Sequence, residues 1–266
     1  MLIQSVDRAL GILSLFSHSH PRLGITEMAA AMGLAKGTVH NLVHTLVRSG
    51  FLKQDPETRK YNLGHSIFAL GTIMSGTLEI NQKAESPAHH LAASTGFICR
   101  VAIWDGDAAL VTLNVTPRHA QMLSRQIGPR VVAYCSAVGR VLLAYLDLES
   151  RNSYLESLSP VRFTPYTIVD KKEIERCLER TLLQGFAVNN QELALGYASV
   201  AAAIFTGKGR LAAAISLTGS PDAVLGAEHE DIVHQLRNAA GEISRYMGYF
   251  PATPTAARGQ YARSGS

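Results

Sequence analysis

The chain predicts two domains of different class: a small, mostly helical N-terminal unit of the winged helix-turn-helix kind, and a larger α+β unit joined to it by a linker helix. Three observations carry this. Its 266 residues exceed one usual domain, and 47% of them are apolar, so each of two units can bury its own core. Up to Gly50 the apolar residues recur at three-and-four spacing, the period of a helix with one buried stripe. Beyond Gly96 the texture changes to short β-rich runs mixed with helical stretches.

In chain order, Val6, Ala9, Leu10, Leu13 and Phe16 give a first helix its buried stripe, ending near Ser17. Residues 18–22, with Pro21 among them, connect it to a short helix capped by Thr26, which buries Ile25, Met28, Ala29 and Met32 and stops at Gly33. The next helix is expected over Lys36 to Arg48, burying Val39, Leu42, Val43 and Leu46, with Gly50 as its stop. Lys36, Gly37, His40, Asn41 and His44 then share the opposite face. Two readings of that face stand open: an ordinary solvated surface, or the edge of a second helix laid in a DNA major groove. On the second reading His40, Asn41 and His44 meet base edges, while Lys36 and Thr38 near the helix start hold phosphate. The following stretch favours it. Phe51 to Gln54 and Arg59 to Leu63 flank Asp55-Pro56-Glu57-Thr58 as two short strands around a turn, a wing with Arg59 and Lys60 at its tip for a phosphate or minor groove.

Charge distribution agrees. The net charge is +4, divided as +3 over residues 1–74, −1 over 75–250 and +2 over 251–266, and five of the ten histidines lie in the first segment. A phosphate-facing surface uses such a bias, although a solvated basic surface shows it too. The sequence has no leader-like start and no apolar stretch of spanning length, so a soluble, cytoplasmic protein without a membrane partner is expected. Cys99, Cys135 and Cys177 are odd in number and scattered, which predicts reduced core or near-surface thiols.

Ser66 to Met74 reads as the linker helix, and a further helix follows over about Leu78 to Ser94, kinked or broken just before Pro87. Apolar surface on the linker packs either on its own domain or on a second copy, and both readings stay open here. Strands are expected at Phe97 to Trp104 and Ala108 to Val115, joined at Asp105-Gly106-Asp107, and at residues 120–127. A helix from Ser136 through Val138, Val141, Leu142 and Tyr145 leads into helical sequence to about Gln184. Tyr197 to Phe205 and Arg210 to Thr218 flank the Gly207-Lys208-Gly209 turn, and a terminal helix spans about Ala223 to Gly248. This order predicts an antiparallel sheet with helices on its faces. The boundaries are 1–64 for the winged unit, 65–78 for the linker helix, 79–250 for the larger domain and 251–266 for a disordered tail rich in Pro, Ala, Gly and Arg.

The run SVDRALGILSLF, then ITEMAAAMGLAKGTVHNLVHTLVRSGFL, then a wing ending YNLG, resembles the DNA-binding domain of the IclR family of transcriptional regulators over nearly all of residues 4–75. IGPRVVAYCSAVGRVLLAYL, GFAVNNQELALGYASVAAAIF and LAAAISLTGSP are similar to landmark segments of that family's effector-binding domain, whose fold is similar to GAF domains. The resemblance implies a repressor that binds a double-stranded DNA operator as a homodimer or dimer of dimers, under control of a small-molecule effector. It also implies an effector pocket made by the backbone amides of Ala137 and Val138 with Asn189, Ser199, Ser216 and Thr218. Ser136 can cap the helix whose free N–H groups would take a carboxylate, which makes a small organic acid the expected effector. Each side chain also has a plainer reading: inward Ser and Thr bond to backbone, and Asn189 is a turn residue. Departures from the family pattern are Asn41 where a basic residue is common, Asn189 where an acidic one is, Ser199 where cysteine is and Tyr134 where histidine is. Glu192, in the loop after Asn189, is a candidate for a structural ion pair, and the directions of Arg100, Trp104 and Arg125 stay open.

Nothing in the sequence asks for catalysis, a cofactor or a metal. There is no nucleophile elbow, no phosphate-cradling GxxxxGK loop and no HExxH, and the adjacent His89 and His90 point about 100° apart on a helix. The alternative is a small-molecule-transforming enzyme fused to a degenerate DNA-binding domain.

Overall fold

The computed structural model describes residues 2–17, 19–117 and 128–250. The N-terminal unit comprises α1 (Gln4–Ser14), α2 (Ile25–Met32), α3 (Lys36–Arg48), β1 (Leu52–Gln54) and β2 (Tyr61–Leu63). Its core gathers Ile12, Met28, Ala29, Val39, Val43, Leu46, Leu52 and Tyr61. The periodicity thus locates the inner faces of α2 and α3, with Leu42 only half-buried. The stripe expected on α1 holds in part: Ala9, Leu13 and Phe16 are half-buried against this core beside the fully buried Ile12, whereas Val6 and Leu10 stand 52% and 59% exposed beside Leu2 and Ile3. Thr26 is not the cap of α2. The helix starts at Ile25 with Gly24 as its N-cap, two residues before Thr26, and the Glu27 carboxylate reaches back to accept the Gly24 N–H at 2.5 Å. Gly33 ends α2 at a φ of 62°, the left-handed conformation that favours glycine.

The wing pairs Leu52 with Leu63 and Gln54 with Tyr61. Asp55 shapes its turn by accepting the N–H groups of Glu57 and Thr58, both at 3.0 Å. Leu23 joins the wing by an isolated antiparallel bridge, exchanging two backbone hydrogen bonds with Tyr61.

The linker is α4 (His65–Thr77), and Leu78 in extended conformation separates it from α5 (Glu79–Thr95). Pro87 lies inside α5 without breaking it, and it is itself buried, so packing of that face holds the helix through the lost hydrogen bond. No residue of α4 is buried.

The larger domain continues with β3 (Ile98–Asp105), β4 (Ala108–Val115), β5 (Arg130–Val132), α6 (Ala137–Ala144), α7 (Leu148–Ser157), α8 (Lys171–Gln184), β6 (Phe186–Asn190), β7 (Ala198–Phe205), β8 (Leu211–Gly219), α9 (Pro221–Leu225) and α10 (His229–Tyr246). Its sheet is antiparallel throughout, in the order β5-β4-β3-β8-β7-β6. Period-2 alternation divides the strands cleanly. Val200, Ala202 and Ile204 of β7 face the core with α5 and α10, while Ala201 and Ala203 face α6.

Several sequence expectations change here. Asn189 is a strand residue of β6, and β5 is a further short strand that the sequence reading passed over. Residues 146–184 hold two helices around an irregular segment, and the terminal helix is divided into α9 and α10 at Gly226, where any Cβ would meet the Asp222 carbonyl. The strand expected at 120–127, Arg125 with it, and the tail at 251–266 lie outside the described residues.

Candidate nucleic-acid interface and effector pocket

The α3 face opposite Val39, Val43 and Leu46 carries Lys36, His40, Asn41 and His44, all exposed, with Thr38 half-buried beside them. Among the described residues no side-chain hydrogen bond or ion pair engages Lys36, His40, Asn41 or His44. The helix has no acidic residue in its first turn, and its N-cap is Ala35, which offers no side-chain acceptor. Its first N–H groups therefore point outward unsatisfied, the arrangement that attracts a phosphate. On the wing, Arg59 is exposed at a φ of 57°. Lys60 differs from it. Its ammonium donates to Glu27 at 2.9 Å, so its charge is already engaged by α2. The Gly24 N–H, then Lys60, hold the Glu27 carboxyl below its ordinary range.

In the larger domain, one cavity of about 40 Å³ lies between the sheet and the start of α6, and Ser136, Ala137, Val138, Asn189, Ser199, Ser216 and Thr218 all line it. Sheet register explains the convergence: Asn189 pairs with Ser199, and Ser199 with Thr218, so the three form one row across β6, β7 and β8, and Ser216 lies two residues from Thr218 on the same face. Ser136 caps α6 by accepting the Gly139 N–H at 3.2 Å and itself donates to the Val132 carbonyl at 2.7 Å. The Ala137 and Val138 amides are buried and have no acceptor among the described residues. Nor do the hydroxyls of Ser199, Ser216 and Thr218 make a hydrogen bond there, although Ser216 and Thr218 are 3% and 5% exposed. Buried donors and hydroxyls without protein partners are a ready site for a polar ligand.

Asn189 spends its amide group on the Cys135 carbonyl, which ties β6 to the start of α6. Tyr134 does not line the cavity; its hydroxyl donates to the Val161 carbonyl at 2.5 Å and accepts the Val161 N–H at 2.7 Å. Glu192 makes an ion pair, with both side chains almost fully buried: its two oxygens accept from Nη1 and Nη2 of Arg140, each at 2.6 Å. Sequence reasoning missed Arg100, Tyr197, Leu193 and Ala194 as lining residues. The signal for Arg100 was a lone cation inside the apolar run ICRVAI.

A family model described as the IclR helix-turn-helix domain matches residues 5–56, and one described as bacterial transcriptional regulator IclR C-terminal matches residues 74–245. The chain belongs to the IclR family of transcriptional regulators. Among IclR-type proteins, the HTH-type transcriptional regulator XynR of Escherichia coli (strain K12) is 34% identical over 248 residues, covering 93% of this chain and 98% of that one. The HTH-type transcriptional repressor AllR of Salmonella typhi is 25% identical over 248 residues, covering 93% and 91%. The crystal structure of an IclR transcriptional regulator from Alicyclobacillus acidocaldarius superimposes with a TM-score of 0.77 at 26% identity, covering 93% of this chain and all of that one. This IclR-family chain is accordingly a DNA-binding regulator with a C-terminal effector-binding domain, and the enzyme alternative falls. No helix among the described residues is long and apolar enough to cross a membrane, and no group of three potential metal ligands occurs there.

Proposed function

We propose that this protein is a repressor working in the cytoplasm, whose operator binding is controlled by a small organic acid bound at the start of α6. Lys36 and Thr38, with the open end of α3 and Arg59 of the wing, hold phosphates; His40, Asn41 and His44 read base edges. Lys60 contributes only insofar as DNA competes with Glu27. In the larger domain the Ala137 and Val138 amides take the carboxylate, while Ser199, Ser216 and Thr218 orient the rest of the ligand, with Asn189 holding the start of α6. The observation that carries the reading is the combination of an unpartnered polar edge on α3 with an unsatisfied polar cavity in the second domain. A repressing role draws on the relative from Salmonella typhi, a transcriptional repressor by name.

Exposed apolar surface supports self-association. Phe68, Leu70, Ile73 and Met74 of α4 are 79%, 53%, 63% and 51% exposed, and Leu2, Ile3, Val6 and Leu10 add a second exposed apolar group. Surfaces of this kind are covered by a partner, and a two-fold dimer presents two recognition helices to paired half-sites. A gel shift with the protein's own upstream intergenic DNA tests the whole reading. Salt-dependent retardation, relieved by carboxylates and not by their amides, is expected. Equal retardation of unrelated DNA, or none, overturns operator recognition, and a monomer in sedimentation equilibrium overturns the dimer.

A further inference from the structure

Arg100 lies on β3, paired with Ser216 of β8, and lines the same cavity. It is only 7% exposed. Its Nε donates to Asn114 Oδ1 at 3.0 Å, while Nη1 and Nη2 have no hydrogen-bond partner among the described residues. No Asp or Glu pairs with it, and residues 118–127 and 251–266 contain none. A buried guanidinium without a counter-ion is costly. The cost shows as a lowered pKa, which comes chiefly from desolvation. Arg140 and Glu192 show what this domain does with a buried cation that serves structure alone: it supplies a bidentate carboxylate from the chain. Arg100 is held in place by a neutral amide, with the fork that recognises carboxylates left open to the cavity.

The cavity therefore has two separate poles for negative charge, the Arg100 guanidinium and the free Ala137 and Val138 amides, with the Ser216 and Thr218 hydroxyls on the sheet beside them. We propose that the effector is a short dicarboxylate, one carboxylate on the Nη1 and Nη2 atoms of Arg100 and the other on the start of α6. This rests on the reading of the cavity as the effector site. The small volume favours a short spacer, since about 40 Å³ accommodates only a few water molecules.

The test is calorimetric titration of the full chain with malonate, succinate, succinamate and butyrate, repeated on Arg100→Met and Arg100→Lys, with operator release by each compound measured in parallel. In the wild type the tighter of the two diacids should bind at least tenfold better than succinamate or butyrate. Arg100→Met should abolish that preference, and Arg100→Lys should retain part of it, since the charge survives without the fork. Two results overturn the proposal alone: carboxylates bind and release DNA with no preference for a diacid, or Arg100→Met, folded as judged by an unchanged thermal midpoint, keeps the preference. Should Arg100→Met fail to fold, Arg100→Lys decides, because full retention of the preference with a compact ammonium in place of the fork counts against the carboxylate clamp. If none of the four compounds binds or affects the DNA complex, the organic-acid reading of the cavity fails as well.

Discussion

Arg140→Met removes one half of the Arg140–Glu192 pair and leaves the other half behind. The arginine side chain is 4% exposed and the glutamate 6%. The guanidinium also donates to the Tyr134 carbonyl at 3.0 Å and the Val188 carbonyl at 2.8 Å, so it joins β6, the turn before α6 and the loop after β6. After substitution the Glu192 carboxylate keeps only the Ile168 N–H, at 3.3 Å. A buried charge orphaned in this way costs about 3–5 kcal/mol. Spread over a domain of this size, that corresponds to a fall in melting temperature of roughly 6–20 °C. Urea unfolding of the full chain, followed by the circular dichroism of the larger domain, gives the number directly. The double variant Arg140→Met, Glu192→Leu removes both charges together and should be less destabilised than Arg140→Met alone. A loss under about 1 kcal/mol in the single variant, or a double variant at the sum of the two singles, would refute the argument that an uncompensated buried charge sets the cost.

Lys36→Ala should weaken binding to every DNA sequence alike and reduce the salt slope by about 1, whereas His40→Ala and Asn41→Ala should alter sequence preference by roughly 1–3 kcal/mol at single base pairs, measured by competition gel shifts. Gly139→Ala should abolish effector binding and destabilise the domain, because its Cβ would stand 2.3 Å from the Ala133 Cα and 2.6 Å from the Ser136 hydroxyl that caps α6; an unchanged melting curve would contradict it. Burial pushes the Cys99 and Cys135 thiols up to about 12 and raises Cys177, so a thiol reagent at pH 8 should label none of the three until denaturant is added. Glu27 is held below its ordinary value of 4.5, so its contribution is complete above that pH and disappears as pH falls through the lowered value; Glu27→Gln should flatten that part of the winged domain's acid unfolding curve.

The outer face of α3 was legible because helical period alone decides it once Val39, Val43 and Leu46 are inside. Period placed α1 only in part: Ala9, Leu13 and Phe16 pack on the chain's own core, while Val6 and Leu10 keep the spacing of a buried stripe and stay exposed, and one sequence cannot say whose core that part of a stripe will enter. Thr26 looked like a cap by residue type, but the first turn was fixed from inside by Glu27. Of the seven cavity residues, Ser136 was legible as a helix cap, and the other six only through family resemblance. Their meeting depends on the pairing of β6, β7 and β8, and β6 was hidden because FAVNN lacks the apolar alternation of an ordinary strand. Arg100 stayed undirected for the related reason that a strand's two faces are assigned by what packs on them: Cys99 and Val101 join the core with α5 and α10, while Ala102 joins the one with α6, and the sequence alone does not say which helix takes which face.

How occupancy of the cavity could reach DNA is constrained by the hydrogen bonds between the domains. Val111 of β4 lines the cavity, and the carbonyl of the next residue, Thr112, accepts from Asn81 Nδ2 at 3.1 Å. The same Asn81 amide donates to the Ser75 carbonyl and hydroxyl in α4, at 3.1 Å and 3.0 Å, while its own oxygen is buried without a partner among the described residues. At the other end of α4, the Ser66 hydroxyl donates to the Ser49 carbonyl just beyond α3, and Gly64 packs so closely on Gly50 that no side chain fits. The linker is thus gripped at one end by the pocket strand through α5 and at the other by the recognition helix. A ligand that shifts β4 by a fraction of an ångström would act on a helix with no buried residue of its own to resist the movement, and in the proposed dimer that movement would reach both copies of α3 through their linkers.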